Sequence, residues 1–287
     1  MSDLLSAEHL TNELLEQGYC IIHDLLPAET IDAFNRDLDP KFESTPFGQG
    51  AFYGNRTKRF GGLLKRSPVA QILAMQPTIL AMAENILGDA CETIQLNVTQ
   101  AIEIYPGEPR QFPHRDHDMW NGKKGEHEFL VNIIWPLTSF NADSGATQIY
   151  PYSHGPDGME RVDPGAPIIA ECEPGAAICF LGSTAHGAGP NVTNAPRRAV
   201  VIGYSLGWLK PYENLWLSYP PEIARTFSPE LAKLAGYVQH RPNLGNYEGQ
   251  CPSILLGDNI PEHIGAIDAL RPDQEQMLSQ YQRSDAN

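Results

Sequence analysis

Phe112-Pro113-His114-Arg115-Asp116-His117-Asp118 is the stretch around which the rest of this chain makes sense. It packs two imidazoles and two carboxylates into residues 114–118. On an extended segment, residues i and i+2 share a face. His114 and Asp116 therefore can offer donors to one cation while Arg115 faces away. Two donors do not complete a transition-metal site, so a third must come from elsewhere in the chain.

The flanking sequence sets the fold class. Upstream, Ile94, Leu96, Val98, Ile102 and Ile104 alternate with Gln95, Asn97, Thr99, Ala101 and Glu103. That period of two predicts a long half-buried strand, ended by Pro106-Gly107. Downstream, residues 129–137, 146–150, 167–172, 176–181 and 197–206 are short apolar runs, several separated by turns such as Asp163-Pro164-Gly165 and Pro174-Gly175. Strands at this spacing predict a sandwich or small barrel.

Helices are expected on either side. Ser6 caps one through Gln17, with Leu10, Leu14 and Leu15 as its stripe and Gly18 as its stop. A short strand follows at 19–23. Pro27 opens a second helix on Ile31, Phe34 and Leu38; Ser67-Pro68 and Pro77 open two more. Residues 40–62 read as one long aperiodic loop carrying Arg56, Lys58 and Arg59. In the tail, Ser228-Pro229-Glu230 starts a short helix that Gly236 ends, and Pro272 opens the last one.

Composition narrows the partners. A net charge of −15 over 287 residues argues against a nucleic-acid partner, and no Lys/Arg-rich run makes a local exception. No apolar run approaches the ~18 residues of a membrane span, and Met1-Ser2-Asp3 does not start a secretory leader. The five scattered cysteines fit neither a disulfide framework nor a zinc knuckle. Cys172 and Cys179 flank a turn; they either face each other across a hairpin or serve as small buried apolar side chains in a reducing cytosol. A cytoplasmic protein is expected.

His186 is the best third donor. It follows an apolar strand in Leu181-Gly182-Ser183-Thr184-Ala185-His186-Gly187-Ala188-Gly189, where small neighbours allow close approach. His114, Asp116 and His186 make a two-His-one-carboxylate set, which leaves open coordination positions and suits non-haem Fe(II). The pair Arg197-Arg198 begins eleven residues later. An arginine in the pocket of an acidic protein suits a bidentate bond to a carboxylate ligand.

These pieces together resemble the phytanoyl-CoA dioxygenase family of Fe(II)/2-oxoglutarate oxygenases. His114-x-Asp116, the distant His186 and Arg197 follow its order. Asp143-Ser144-Gly145-Ala146-Thr147 through Pro151-Tyr152-Ser153-His154 is similar to its NGAT-x-x-x-PGSH segment, with Tyr152 where Gly is usual. Pro106-Gly107-Glu108 and Gln111 resemble its PGE-x-x-Q-x-x-H-x-D segment, and Thr57-Lys58-Arg59 with Gly61-Gly62-Leu63 a T-x-R segment of one branch. The likeness covers roughly residues 10–210.

The resemblance implies a mainly β protein with flanking helices and a double-stranded β-helix (jelly-roll, cupin-like) core. One domain is expected across 1–287, with a helical layer and loop at 1–90, the core at 91–208 and a helical extension at 209–287. It implies Fe(II), 2-oxoglutarate and O2 as metal and cosubstrates, with iron on His114, Asp116 and His186. Arg197 would pair with the far carboxylate of 2-oxoglutarate, Arg198 being the alternative. Gln111, Thr147 and Arg59 match further cosubstrate contacts. Phe112, His117, Trp120 and Arg198 are candidates for the substrate pocket. Relatives that halogenate lack the carboxylate found here at Asp116, so hydroxylation, desaturation or a related C–H oxidation of a small organic metabolite is implied. A free metabolite of secondary metabolism is the expected substrate. The competing readings are a non-oxidative cupin-like metal enzyme and a catalytically silent metal-binding protein of the same fold. The aromatic tail (Trp208, Tyr212, Trp216, Tyr219) either closes over the substrate or forms a homodimer interface.

Overall fold

Among the described residues, nine strands pair antiparallel into two sheets with a cavity between them. The computed structural model describes residues 6–122 and 125–285; the Met1-Ser2-Asp3 start lies outside it. The strands are β1 (Tyr19–Ile22), β2 (Thr57–Phe60), β3 (Ile94–Ile104), β4 (Leu130–Pro136), β5 (Thr147–Ile149), β6 (Ile168–Ile169), β7 (Ala177–Leu181), β8 (His186–Ala188) and β9 (Arg197–Leu206). The larger sheet runs β1-β7-β4-β9-β3-β2 and the smaller β6-β5-β8. This is a double-stranded β-helix.

Four helices precede the core: α1 (Ala7–Gln17), α2 (Ala28–Ser44), α3 (Pro68–Ala74) and α4 (Pro77–Leu87). Their ends follow from local chemistry. The Ser6 hydroxyl accepts from the His9 amide at 3.2 Å, and Gly18, at φ 86, donates back to Leu14. Such a left-handed cap suits a residue without Cβ. Ser67 caps α3 ahead of Pro68 at its first turn. Leu14, Phe34, Leu38, Leu73 and Met82 from these helices join Val131, Ile133, Trp135, Val200, Ile202 and Tyr204 of the larger sheet in one buried cluster. A second, smaller cluster around Phe140, Ile149, Ile178 and Phe180 fills the space between the sheets.

Strand β3 departs from expectation. It is buried on both faces, not half-buried. Its register with β9 slips between Leu96 and Val98, so Asn97 is the extra residue of a β-bulge. Ile94 and Leu96 consequently face the helices, whereas Val98, Gln100, Ile102 and Ile104 line the cavity. An apparently continuous apolar stripe is two stripes on opposite faces. The 40–62 stretch is also not one loop. Helix α2 continues to Ser44, and Thr57–Phe60 pairs with β3 as an edge strand. Strand β8, on the small residues after Ala185, gave no periodic signal. Cys179 lies opposite Cys20 on β1, not opposite Cys172, which belongs to the inter-sheet cluster. All five thiols are free. No helix among the described residues is long and apolar enough to cross a membrane.

Candidate metal centre

His114 and His186 meet across a two-residue antiparallel bridge, each amide donating to the other's carbonyl at 2.9 Å. Arg115 between His114 and Asp116 is extended (φ −119, ψ 128) and points away, its guanidinium binding the carbonyls of Ser183, Ser153 and Gly158. The i, i+2 argument thus holds up to Asp116. Donor atoms of His114, Asp116 and His186 all lie within 4.8 Å of one another. His114 Nε2 is 3.5 Å from Asp116 Oδ1, and His186 Nε2 is 3.7 Å from Asp116 Oδ2.

The outer contacts fit a metal. His114 Nδ1 lies 3.0 Å from the Phe112 carbonyl and His186 Nδ1 3.1 Å from that of Thr184. A carbonyl can only accept, so each Nδ1 carries the proton and each Nε2 lone pair faces the shared space. Burial pushes His186 down to about 4, so this imidazole is neutral, as a ligand must be. Burial alone would raise Asp116, but His186, His114 and the Asn132 amide outweigh it and hold the carboxyl below its usual range. Burial likewise lowers His114, and its bond to Asp116 overcomes that to leave it raised.

The cavity beside the three donors is lined by Gln111, Thr147, Arg59 and Arg197. Gln111 is held at both ends, its Nε2 donating to the Phe52 carbonyl at 3.1 Å and its Oε1 accepting from the Ala188 amide at 3.3 Å. Arg59, opposite cavity-facing Ile102, donates to Gln100 Oε1 at 3.2 Å. Arg197 is 5% exposed, lies over the Phe140 ring and donates to the Gly145 carbonyl, while its Nε has no partner. Burial, then the charge of Arg59, push Arg197 down to about 9. Neither arginine has an ion pair among the described residues. Two cations facing one buried space, neither in an ion pair of its own, suit an incoming carboxylate.

The four expected pocket-wall residues lie elsewhere. Phe112 is 77% exposed. Asp116 opens a 3-10 turn, Asp116–Met119, in which positions i and i+3 eclipse. Met119 therefore lines the cavity with Asp116, while His117 turns under the Phe129 ring and Trp120 binds the Lys210 carbonyl. Arg198 faces the helices, bonding Glu103 at 2.6 Å and Asp39 at 2.5 Å over the Phe42 ring. Neighbours on a strand point to opposite faces, so Arg197 and Arg198 cannot share the cavity. Tyr152 adopts φ 58, keeping the left-handed turn that Gly usually supplies in the resembled segment.

Sequence reasoning missed Asn132, whose Nδ2 donates to Asp116 Oδ2 at 2.6 Å. The available signal was one polar residue inside the apolar run Leu130–Pro136. It also missed Phe52, which meets His114 edge-on at 4.8 Å, and the hydroxyl bond of 2.8 Å between Tyr53 and Tyr212 at the cavity edge.

Residues 14–199 match the family model described as Phytanoyl-CoA dioxygenase (PhyH). The dioxygenase trt7 of Aspergillus terreus is 27% identical over 243 residues, 81% of this chain and 85% of that protein. The multifunctional dioxygenase ausE of Penicillium brasilianum is 28% identical over 257 residues, 82% and 85% of the two. Among solved structures, the non-heme alpha ketoglutarate dependent epimerase SnoN from nogalamycin biosynthesis is similar with a TM-score of 0.58 at 19% identity, over 70% of this chain and 81% of that one. HygX from Streptomyces hygroscopicus, with nickel and 2-oxoglutarate bound, gives 0.56 at 14% identity over 73% and 90%. These structural likenesses establish the fold.

Proposed function

The chain belongs to the phytanoyl-CoA dioxygenase family, and we propose that it is an Fe(II)/2-oxoglutarate-dependent dioxygenase of a small organic molecule whose iron is held by His114, Asp116 and His186. We further assign the far carboxylate of 2-oxoglutarate to Arg197, with Gln111, Thr147 and Arg59 around the rest of the cosubstrate. The observation that carries this reading is the unpaired buried Arg197 in the same cavity as the three donors. Bound iron, with 2-oxoglutarate and O2, supplies the oxidising power for C–H cleavage, and 2-oxoglutarate leaves as succinate and CO2.

The chain's own groups bind, orient and exclude water. The Nδ1–carbonyl bonds fix both imidazoles in the ligating tautomer. Arg197 and Arg59 offset the charge of the dianionic cosubstrate. Val98, Ile102, Ile134, Phe180 and Val201 present apolar side chains to the cavity, which keeps water away from the reacting centre. Met119, Phe52, Tyr53 and Tyr212 ring the side open to substrate. That lining favours a substrate with an apolar body, and we place it among secondary metabolites. We read residues 1–287 as one domain of a cytoplasmic protein, with exposed Trp208, Trp216 and Leu217 as a homodimer surface. Light scattering on the purified protein checks the dimer, and subcellular fractionation the location.

Anaerobic addition of Fe(II) and then 2-oxoglutarate should produce the visible charge-transfer band of the chelate. Asp116→Ala should remove both the band and succinate formation. A folded Asp116→Ala protein that keeps them would mean that iron binds elsewhere.

A further inference from the structure

Asn132 sits mid-strand in β4 and is 1% exposed. Its ladder neighbours are Phe180 on β7 and Gly203 on β9. Its side chain faces the cavity with that of Ile134, while Val131, Ile133 and Trp135 face the helices. Burying an amide costs free energy unless its bonding capacity is used. Here the use is specific: Nδ2 donates to Asp116 Oδ2 at 2.6 Å, a charge-assisted bond. The fold also makes room for it. A Cβ at Gly203 would lie 2.6 Å from Asn132 Oδ1, so the absent side chain on β9 is what admits the amide.

Asp116 needs such a hold. It opens a single 3-10 turn whose first residue has no side-chain cap. Its Oδ1 lies toward His114 and its Oδ2 toward His186, so both oxygens can reach one cation. A carboxylate that donates both takes up an extra coordination position. A six-coordinate ion with three protein donors has three positions left, and a 2-oxo acid chelate plus O2 uses all of them.

We propose that Asn132 is the positioning residue that makes Asp116 a one-oxygen donor: it occupies Oδ2 and leaves Oδ1 to the metal, keeping the remaining positions open. The proposal rests on the ligand assignment above. Gly203 belongs to the same device, because only a residue without Cβ lets the amide stand where it does.

Co(II), added alone to metal-free protein, tests it. Affinity is read by titration and coordination number by the intensity of the visible d–d bands. Asn132→Leu keeps roughly the side-chain volume but cannot donate. Gly203→Ala keeps the amide and forces it off Asp116. Both should bind Co(II) about 10–100-fold more weakly than wild type, and both should show the altered band intensity of a two-oxygen carboxylate. Melting curves of the metal-free proteins show that each variant is folded. If Asn132→Leu does not fold, Gly203→Ala, which removes no polar group, decides. Wild-type affinity and wild-type bands in the folded variants overturn the proposal. If wild type itself binds Co(II) no better than Asp116→Ala, the ligand assignment falls and takes this proposal with it.

Discussion

Replacing Arg197 with methionine should move two observables in opposite directions. The guanidinium is buried, has an unpartnered Nε and stands in the same cavity as Arg59. Burial and that like charge push it down to about 9. A depressed value on a base means that the fold disfavours the charged form, and the cost is felt in full at every pH below about 9. At about 1.4 kcal/mol per tenfold, the charged form carries roughly 5 kcal/mol of unfavourable surroundings. A bound carboxylate relieves this by pairing with the cation. Removing one partner of a buried charge pair costs about 2–5 kcal/mol of binding, so Arg197→Met should raise the 2-oxoglutarate dissociation constant by roughly 30- to several-thousand-fold. The protein without ligand should become more stable by about 1–4 kcal/mol, as when buried ions give way to apolar side chains. Anaerobic titration of the Fe(II) chelate band gives the first quantity and denaturant unfolding of metal-free protein the second. Unchanged cosubstrate affinity together with lower stability would refute the reasoning and make Arg197 a structural cation.

Three further outcomes follow from neighbouring groups. Arg198→Ala should cost roughly 2–3 kcal/mol of stability, because it strands Glu103 beneath the sheet, and should leave 2-oxoglutarate affinity untouched; a shift in that affinity would put the wrong arginine in the cavity. Co(II) affinity should fall about tenfold per pH unit as pH drops below the raised value of His114, with no second proton taken up by His186 until about pH 4; a hundredfold loss per unit near pH 6 would contradict the neutral state assigned to His186. Under native conditions a thiol reagent should label the partly exposed Cys91 and Cys251 and spare Cys20, Cys172 and Cys179 until the chain unfolds; fast labelling of Cys179 would show that β1 does not stay paired.

The site was more legible than the fold around it. That His114, Asp116, His186 and Arg197 come together at one cavity was readable, because metal and carboxylate chemistry would restrict both residue type and order. Their placement needed only one extended residue between His114 and Asp116. Beyond Asp116 the reading failed, because closeness in sequence was taken for closeness in space. A single 3-10 turn carries His117 and Trp120 away and brings in Met119. Arg198 failed for a related reason: one residue along a strand is the other side of the sheet. Asn132 was hidden among apolar neighbours, since a lone amide declares a role only when its acceptor is known. The helix ends were legible because capping is local. Strand β8 was not, because Gly187 and Ala188 carry almost no pattern.

The extra residue at Asn97 divides the chain's tolerance to change. On one side of it, Ile94 and Leu96 are shared with the helices, and altering them spends stability. On the other, Val98, Gln100 and Ile102 face the cavity beside their partners on β9, Gly203, Val201 and Ala199, and Gln100 and Ile102 also meet Arg59 of β2. A change at those positions can reshape what the cavity accepts without loosening the helical layer. Substrate choice can therefore drift among descendants of this chain while the scaffold stays constant, and a library confined to Val98, Gln100 and Ile102 should yield mostly folded proteins with altered selectivity.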